Sequence, residues 1–216
     1  MKLNDQELHG LRDMILKTSS RLIEKYKELN KIEKEADILF MGDSMIEFLD
    51  TKLFFPNYAL LNRGIGGATT KFILDNLDFI VGDIKPNKLF ISIGSNDLVL
   101  LRATPSEVVD NVINVFKILQ LKFPHTKLYY LSTTPVLKEG NKLYKKIYVA
   151  GRTNEENQAI NKGLKTALEL INVTFINQYD QLVDLDGYLI ENFTPDGIHL
   201  NKEGYKIYSN EIKKYL

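Results

Sequence analysis

Near the N-terminus, Leu8, Leu11, Ile15, Leu22 and Leu29, with Ile23 and Tyr26 beside them, recur at helical spacing amid Lys and Glu. Such a stripe predicts one long amphipathic helix. Asn4 followed by Glu7 supplies its start signal, and the pattern runs from about Asp5 to Lys31. Beyond it the chain changes to short apolar runs rich in Ile, Leu and Phe: Ala36–Met41, Ala59–Leu61, Lys88–Ile93, Lys127–Ser132 and Val173–Ile176. Continuous rather than alternating apolar character predicts strands covered on both faces, as in a parallel sheet. Helical patterns separate the runs. Two of them open with capping boxes, Thr104-Pro105-Ser106-Glu107, with proline at the first helical position, and Thr153-Asn154-Glu155-Glu156. Asn201 starts a last helix, Lys202 to Tyr215, whose Tyr205, Tyr208 and Ile212 can pack back on the sheet. Alternating strands and helices predict a three-layer α/β/α sandwich, in which sites form at the carboxyl ends of the strands.

Composition acts mainly by exclusion. No repeat, low-complexity tract or Gly/Ser linker divides the 216 residues, so a single domain, 1–216, is expected, with residues 1–32 as the N-terminal helix and 36–216 as the core. Apolar residues make up 44% of the chain, including 11 Phe and 11 Tyr, enough for a core that needs neither disulfides nor a structural metal. The 28 basic and 28 acidic residues cancel, leaving no field to hold a polyanion, so nucleic acid is not an expected partner. The absence of Cys removes thiolate zinc sites and cysteine nucleophiles, and any metal would rest on three His plus carboxylates. Neither a signal-peptide stretch nor a membrane-length apolar run occurs; a cytoplasmic protein without an integral membrane segment is expected.

Chemistry concentrates at the predicted strand ends. The first strand runs into Gly42-Asp43-Ser44, the second into Asn62-Arg63-Gly64-Ile65-Gly66-Gly67, the third into Gly94-Ser95-Asn96-Asp97, and Asp196-Gly197-Ile198-His199 precedes the last helix. Together these turns hold a hydroxyl, an imidazole, a carboxylate and several amide donors, the groups that acyl transfer to serine requires. Ser44 begins a helical stretch, Met45 to Asp50, and its hydroxyl is available at the sheet edge. Ser44-Met45-Ile46-Glu47 is equally a match to a capping box, which would make Ser44 a mere helix cap. Of the three histidines, His9 and His125 have no carboxylate at motif spacing, whereas Asp196 precedes His199 by three residues. That spacing lets the carboxylate hold Nδ1–H and leave Nε2 facing a serine; Pro195-Asp196-Gly197 is also good turn chemistry. Gly66-Gly67 allows close backbone approach and Asn96 is a neutral donor, both suited to an oxyanion. Gly64-Ile65-Gly66 lacks the third glycine of a dinucleotide loop, and Asn96-Asp97 also suits a side-chain turn.

Taken in order, the four blocks resemble the GDSL-type serine hydrolases, also called SGNH hydrolases, and within them the bacterial proteins similar to platelet-activating factor acetylhydrolase. The resemblance covers Gly42 to His199. It implies Ser44 as nucleophile, His199 as general base, Asp196 as its orienting carboxylate, and an oxyanion hole built from the Ser44 N–H, the Gly67 N–H and Asn96 Nδ2. It also implies a flavodoxin-like parallel five-stranded sheet and no cofactor or metal. Two positions depart from the family pattern: Ala68 stands where many relatives carry Asp, and Met45 where the family name has leucine.

The expected function is therefore a serine esterase cleaving a short-chain acyl or acetyl ester through an acyl-enzyme, with a small acyl ester as substrate. Two alternatives come from other classes. A metal-dependent phosphoesterase would use Gly42-Asp43 and Asn96-Asp97 as ligand turns, and a non-catalytic flavodoxin-like module would use the strand-end glycines to hold a ligand. Leu98-Val99-Leu100-Leu101 is expected either to wall the site or to pack a helix, and Lys138 to Arg152 either to rim it or to form a surface loop. The N-terminal helix is expected to pack on its own domain or, as a weaker alternative, on a second copy in a homodimer.

Overall fold

The structure, a computed structural model, describes residues 1–216. In chain order it comprises α1 (Asp5–Leu29), β1 (Ile38–Gly42), α2 (Ser44–Glu47), α3 (Thr51–Phe54), β2 (Leu60–Gly64), α4 (Thr70–Asp75) and α5 (Leu77–Val81). There follow β3 (Lys88–Ser92), a π-helical turn (Asp97–Leu101), α6 (Pro105–Lys122), β4 (Lys127–Leu131), α7 (Lys146–Val149), α8 (Asn154–Glu169), β5 (Thr174–Ile176) and α9 (Lys202–Lys213). The strands form one parallel sheet in the order β2-β1-β3-β4-β5. This is the α/β arrangement the alternation of runs predicts.

Strand parity divides the core. Leu39, Met41, Leu89, Ile91 and Tyr130 point to one face, where α1, α5, α6 and α8 bring Ile23, Tyr26, Ile80, Val112 and Leu164. Ile38, Phe40, Phe90, Tyr129 and Leu131 point to the other, against Met45, Ile46, Tyr205, Tyr208 and Ile212 of α2 and α9. The two expected capping boxes form, at Thr104 with Glu107 and Thr153 with Glu156, and the start signal at Asn4 with Glu7 forms a third.

The second strand is longer than the apolar run suggests. Asn62 and Arg63, which read as turn residues, continue the ladder opposite Phe40 and Met41. Arg63 is 2% exposed and is accommodated by α1 and the residues after it: its guanidinium pairs with Glu33 at 2.6 Å, donates to Asn30 Oδ1 and Ile80 O at 3.2 Å, and lies over the Tyr26 ring. A buried guanidinium persists only when paired and bonded in this way. The long N-terminal helix thus packs on its own chain. No helix is long and apolar enough to cross a membrane.

Candidate active site

At the end of β1 the backbone of Gly42 takes φ +146°, and a Cβ there would fall 2.0 Å from Ser92 O, so only glycine lets β1 and β3 approach this closely. The buried Asp43 follows with extended backbone, and its carboxylate accepts the Met45 N–H at 3.0 Å. Asp43 is therefore the N-cap of α2 and Ser44 its first residue. The capping-box reading of Ser44-Met45-Ile46-Glu47 does not hold, because the helix begins one residue earlier than that reading needs. Glu47, freed from capping, reaches across to accept the Gly66 N–H. Helical structure also stops at Glu47 instead of running to Asp50; Asp50 caps α3 separately.

The turn before α9 is organised by side chains bonding their own backbone. Thr194 Oγ1 accepts from the Gly197 N–H at 2.8 Å, and Asp196 Oδ1 accepts from the N–H groups of Ile198 and His199 at 3.1 and 2.9 Å. The other oxygen, Oδ2, lies 2.6 Å from His199 Nδ1. A carboxylate only accepts, so Nδ1 carries the proton and Nε2 of the neutral ring is left to accept. Nε2 lies 3.0 Å from Ser44 Oγ. Burial works to raise the Asp196 carboxyl, but the hydrogen bonds from His199 and the two N–H groups outweigh it and hold it below the usual carboxylate value. Phe48 and Tyr148 pack edgewise on the imidazole, with centroids at 5.1 and 5.5 Å.

Ser44, Gly66, Gly67, Asn96 and His199 line one cleft. The N–H groups of Ser44 and Gly67 have no acceptor within the protein. The Asn96 amide is fixed from two sides: Nδ2 donates to Ala68 O at 3.0 Å, and Oδ1 accepts from Arg152 Nη2 at 2.7 Å. An amide nitrogen carries two hydrogens, so one remains to donate into the cleft. Arg152 is itself buried and donates to the carbonyls of Ser95, Tyr148 and Val149 at 2.9 to 3.0 Å; burial lowers its pKa to about 10, leaving it charged at neutral pH. Asp97 turns the other way. Fully buried, it accepts from the N–H and Oγ1 of Thr70 and from Asn111 Nδ2, tying the end of β3 to α4 and α6. The Asn96-Asp97 pair thus divides into one residue at the cleft and one structural pin.

Several cleft residues lie outside the four motif blocks. Of the stretch Lys138 to Arg152, the residues that reach the cleft are Ile147, Tyr148 and Arg152, and of Leu98 to Leu101, Leu100 does. Leu11, Met14, Ile15 and Thr18 of α1 form its opposite wall. They lie three and four positions apart on one helix face, so the stripe announces a buried face but not that the face borders a site. Asp43 and Arg152 attract each other beneath the cleft, yet burial dominates the Asp43 carboxyl and raises it to about 6. No group of three or more His, Asp or Glu side chains is placed to hold a metal ion.

Comparison with known proteins gives the family. Residues 40–207 match the GDSL-like Lipase/Acylhydrolase family. The chain is 30% identical over 180 residues to the human platelet-activating factor acetylhydrolase IB subunit alpha2, covering 80% of this chain and 72% of that protein. A solved structure from Streptococcus pneumoniae, provisionally named a platelet activating factor, superposes with TM-score 0.87 at 31% identity over 99% of both chains. A GDSL-like lipase from Bacteroides thetaiotaomicron, 22% identical over 89% of this chain and 96% of its own, shares the fold with TM-score 0.68. On the family match and the identity to the human subunit together, the chain belongs to the GDSL-like lipase/acylhydrolase family, hydrolases that act on ester bonds.

Proposed function

We propose that the protein is a serine esterase that cleaves a short-chain acyl ester through a covalent acyl-enzyme. The observation that carries this reading is the unbroken line of hydrogen bonds from Asp196 Oδ2 through His199 to Ser44 Oγ, at 2.6 and 3.0 Å. Ser44 Oγ bonds to the ester carbonyl carbon as its proton passes to His199 Nε2. The oxygen that becomes negative is held by the N–H groups of Ser44 and Gly67 and by Asn96 Nδ2. Collapse breaks the ester C–O bond, and the leaving oxygen takes the proton back from His199. Water then repeats the sequence, giving its proton to Nε2 and releasing the acid and the free serine. Asp196 remains ionised and stabilises the imidazolium at each step. Support for a short acyl group comes from the small cleft and from the human relative, whose name is that of an acetylhydrolase. The metal-dependent phosphoesterase alternative needs a ligand cluster that the side chains do not form.

The test is covalent labelling. A fluorophosphonate should modify Ser44, as mapped by mass spectrometry, and abolish hydrolysis of p-nitrophenyl esters, with activity before labelling unaffected by EDTA. Inactivation by EDTA that a divalent metal reverses, with Ser44 unlabelled, would overturn the proposal.

A further inference from the structure

Resting on that esterase reading, we infer that the N-terminal helix is the specificity wall of the site, selecting substrates whose acyl group is an apolar chain and setting its length through Ile15 and Thr18. The helix lies outside the part of the chain that matches the family, residues 40–207, yet it supplies Leu11, Met14, Ile15 and Thr18 to the cleft. It is held in place along its length. Tyr26 Oη donates to Gly64 O at 2.6 Å, just before the Gly66-Gly67 loop. Arg12 donates to Leu100 O at 2.7 Å, Glu7 pairs with Lys146 of α7 at 2.7 Å and Asp5 with Arg102 at 2.8 Å. These ties reach three separate segments that border the cleft, so α1 is a fixed wall.

Geometry assigns the acyl side. His199 must hand its proton to the leaving oxygen, so the alcohol departs along the flank where Phe48 and Tyr148 pack on the imidazole. With Ser44 Oγ below, the carbonyl oxygen at the Gly67 N–H and the leaving oxygen beside His199, the acyl substituent takes the one direction left, into the cleft that Leu11, Met14, Ile15 and Thr18 line from α1; Ile15 is in addition packed on the Gly67 backbone, where a Cβ would lie 2.6 Å from it. The chemistry of the cleft fits an uncharged chain. Its charged neighbours are engaged, Glu47 by the Gly66 N–H and Arg152 by three carbonyls and Asn96. The space amounts to about 290 Å³, at the lower edge of small-molecule sites. Each methylene that stays within such a cleft raises kcat/KM by about three- to fourfold, and one that outgrows it brings no gain.

The experiment measures kcat/KM over p-nitrophenyl esters of increasing acyl length, and over acetate esters of lengthening alcohols, for the parent, Ile15→Ala and Thr18→Phe proteins. The quantity read is the octanoate-to-butyrate ratio within each preparation, from which the folded fraction cancels. Ile15→Ala should raise the ratio by about tenfold, the gain of room for two methylenes, and Thr18→Phe should lower it. A ratio unchanged in both variants would overturn the inference, as would a change confined to acetate esters of lengthening alcohols. Ser44→Ala in the same assay separates the two claims, since turnover surviving there removes the esterase reading itself, whereas a flat ratio with a silent Ser44→Ala removes only the role of α1.

Discussion

Arg152 donates from Nη2 to Oδ1 of Asn96 at 2.7 Å, so a buried cation holds the oxygen of the very amide whose nitrogen faces the cleft. The contact orients Nδ2 and draws electron density from it, which strengthens it as a donor. Loss of the Asn96 donor should lower kcat by about 10²- to 10³-fold. Arg152→Met should cost a large part of that and no more, because it acts through the same amide. In Asn96→Ala, the further change Arg152→Met should leave kcat almost unaltered once rates are normalised to fluorophosphonate-titrated sites. Effects that multiply in the double variant would show that Arg152 serves the reaction by another route.

Asp43 makes stability depend on pH in an unusual direction. Its carboxyl titrates near 6 in the folded chain because burial disfavours the charge, whereas a free Asp titrates near 3.9. Below the lower value both states are protonated and no penalty exists. Between the two values the unfolded chain ionises first, so this group's contribution falls as pH rises, and above about 6 the full penalty of about 3 kcal/mol applies. Asparagine still caps a helix. Asp43→Asn should therefore match the parent in urea unfolding near pH 4 and exceed it increasingly up to about pH 7. Parallel stability curves would contradict the assignment.

The tie between Tyr26 and Gly64 gives a third prediction. Tyr26 is buried, with its hydroxyl pKa pushed up to about 12, chiefly by burial. Tyr26→Phe leaves the Gly64 carbonyl without this donor and should cost about 1–2 kcal/mol. For a chain of this size, each of those kcal/mol lowers Tm by about 2–4 °C. An unchanged Tm would mean that the hydroxyl contributes nothing net.

Much of this was legible in the chain because local rules and the global fold agree. Continuous apolar runs mark β1, β3 and β4, capping boxes mark the starts of α6 and α8, and the Asn4–Glu7 start signal marks that of α1, each within a residue. The motif blocks named Ser44, Gly67, Asn96 and His199, which line one cleft, and Asp196, which lies behind His199 and bonds its Nδ1 at 2.6 Å while Nε2 faces Ser44 Oγ at 3.0 Å. What escaped depends on contacts between segments far apart in sequence. Arg63 looks like a turn residue until Glu33 and Tyr26 arrive to cover it. Arg152 closes the stretch Lys138 to Arg152, whose composition fits a rim over the site and a surface loop alike, and only the fold puts its guanidinium beneath Asn96. Ser44 satisfies a capping pattern that Asp43 in fact fulfils, because a hydrogen-bonding side chain one residue earlier had extended backbone and Ser44 did not need it.

The most direct test of the central claim is turnover per folded molecule in Ser44→Ala. Asp43 is the cap of α2, so removing the serine hydroxyl should change stability by no more than about 0.5 kcal/mol. Hydrolysis should nonetheless fall by about 10⁴-fold or more, with the Asp196 and His199 geometry intact. A folded Ser44→Ala protein that cleaves p-nitrophenyl esters at close to the parent rate would contradict the account.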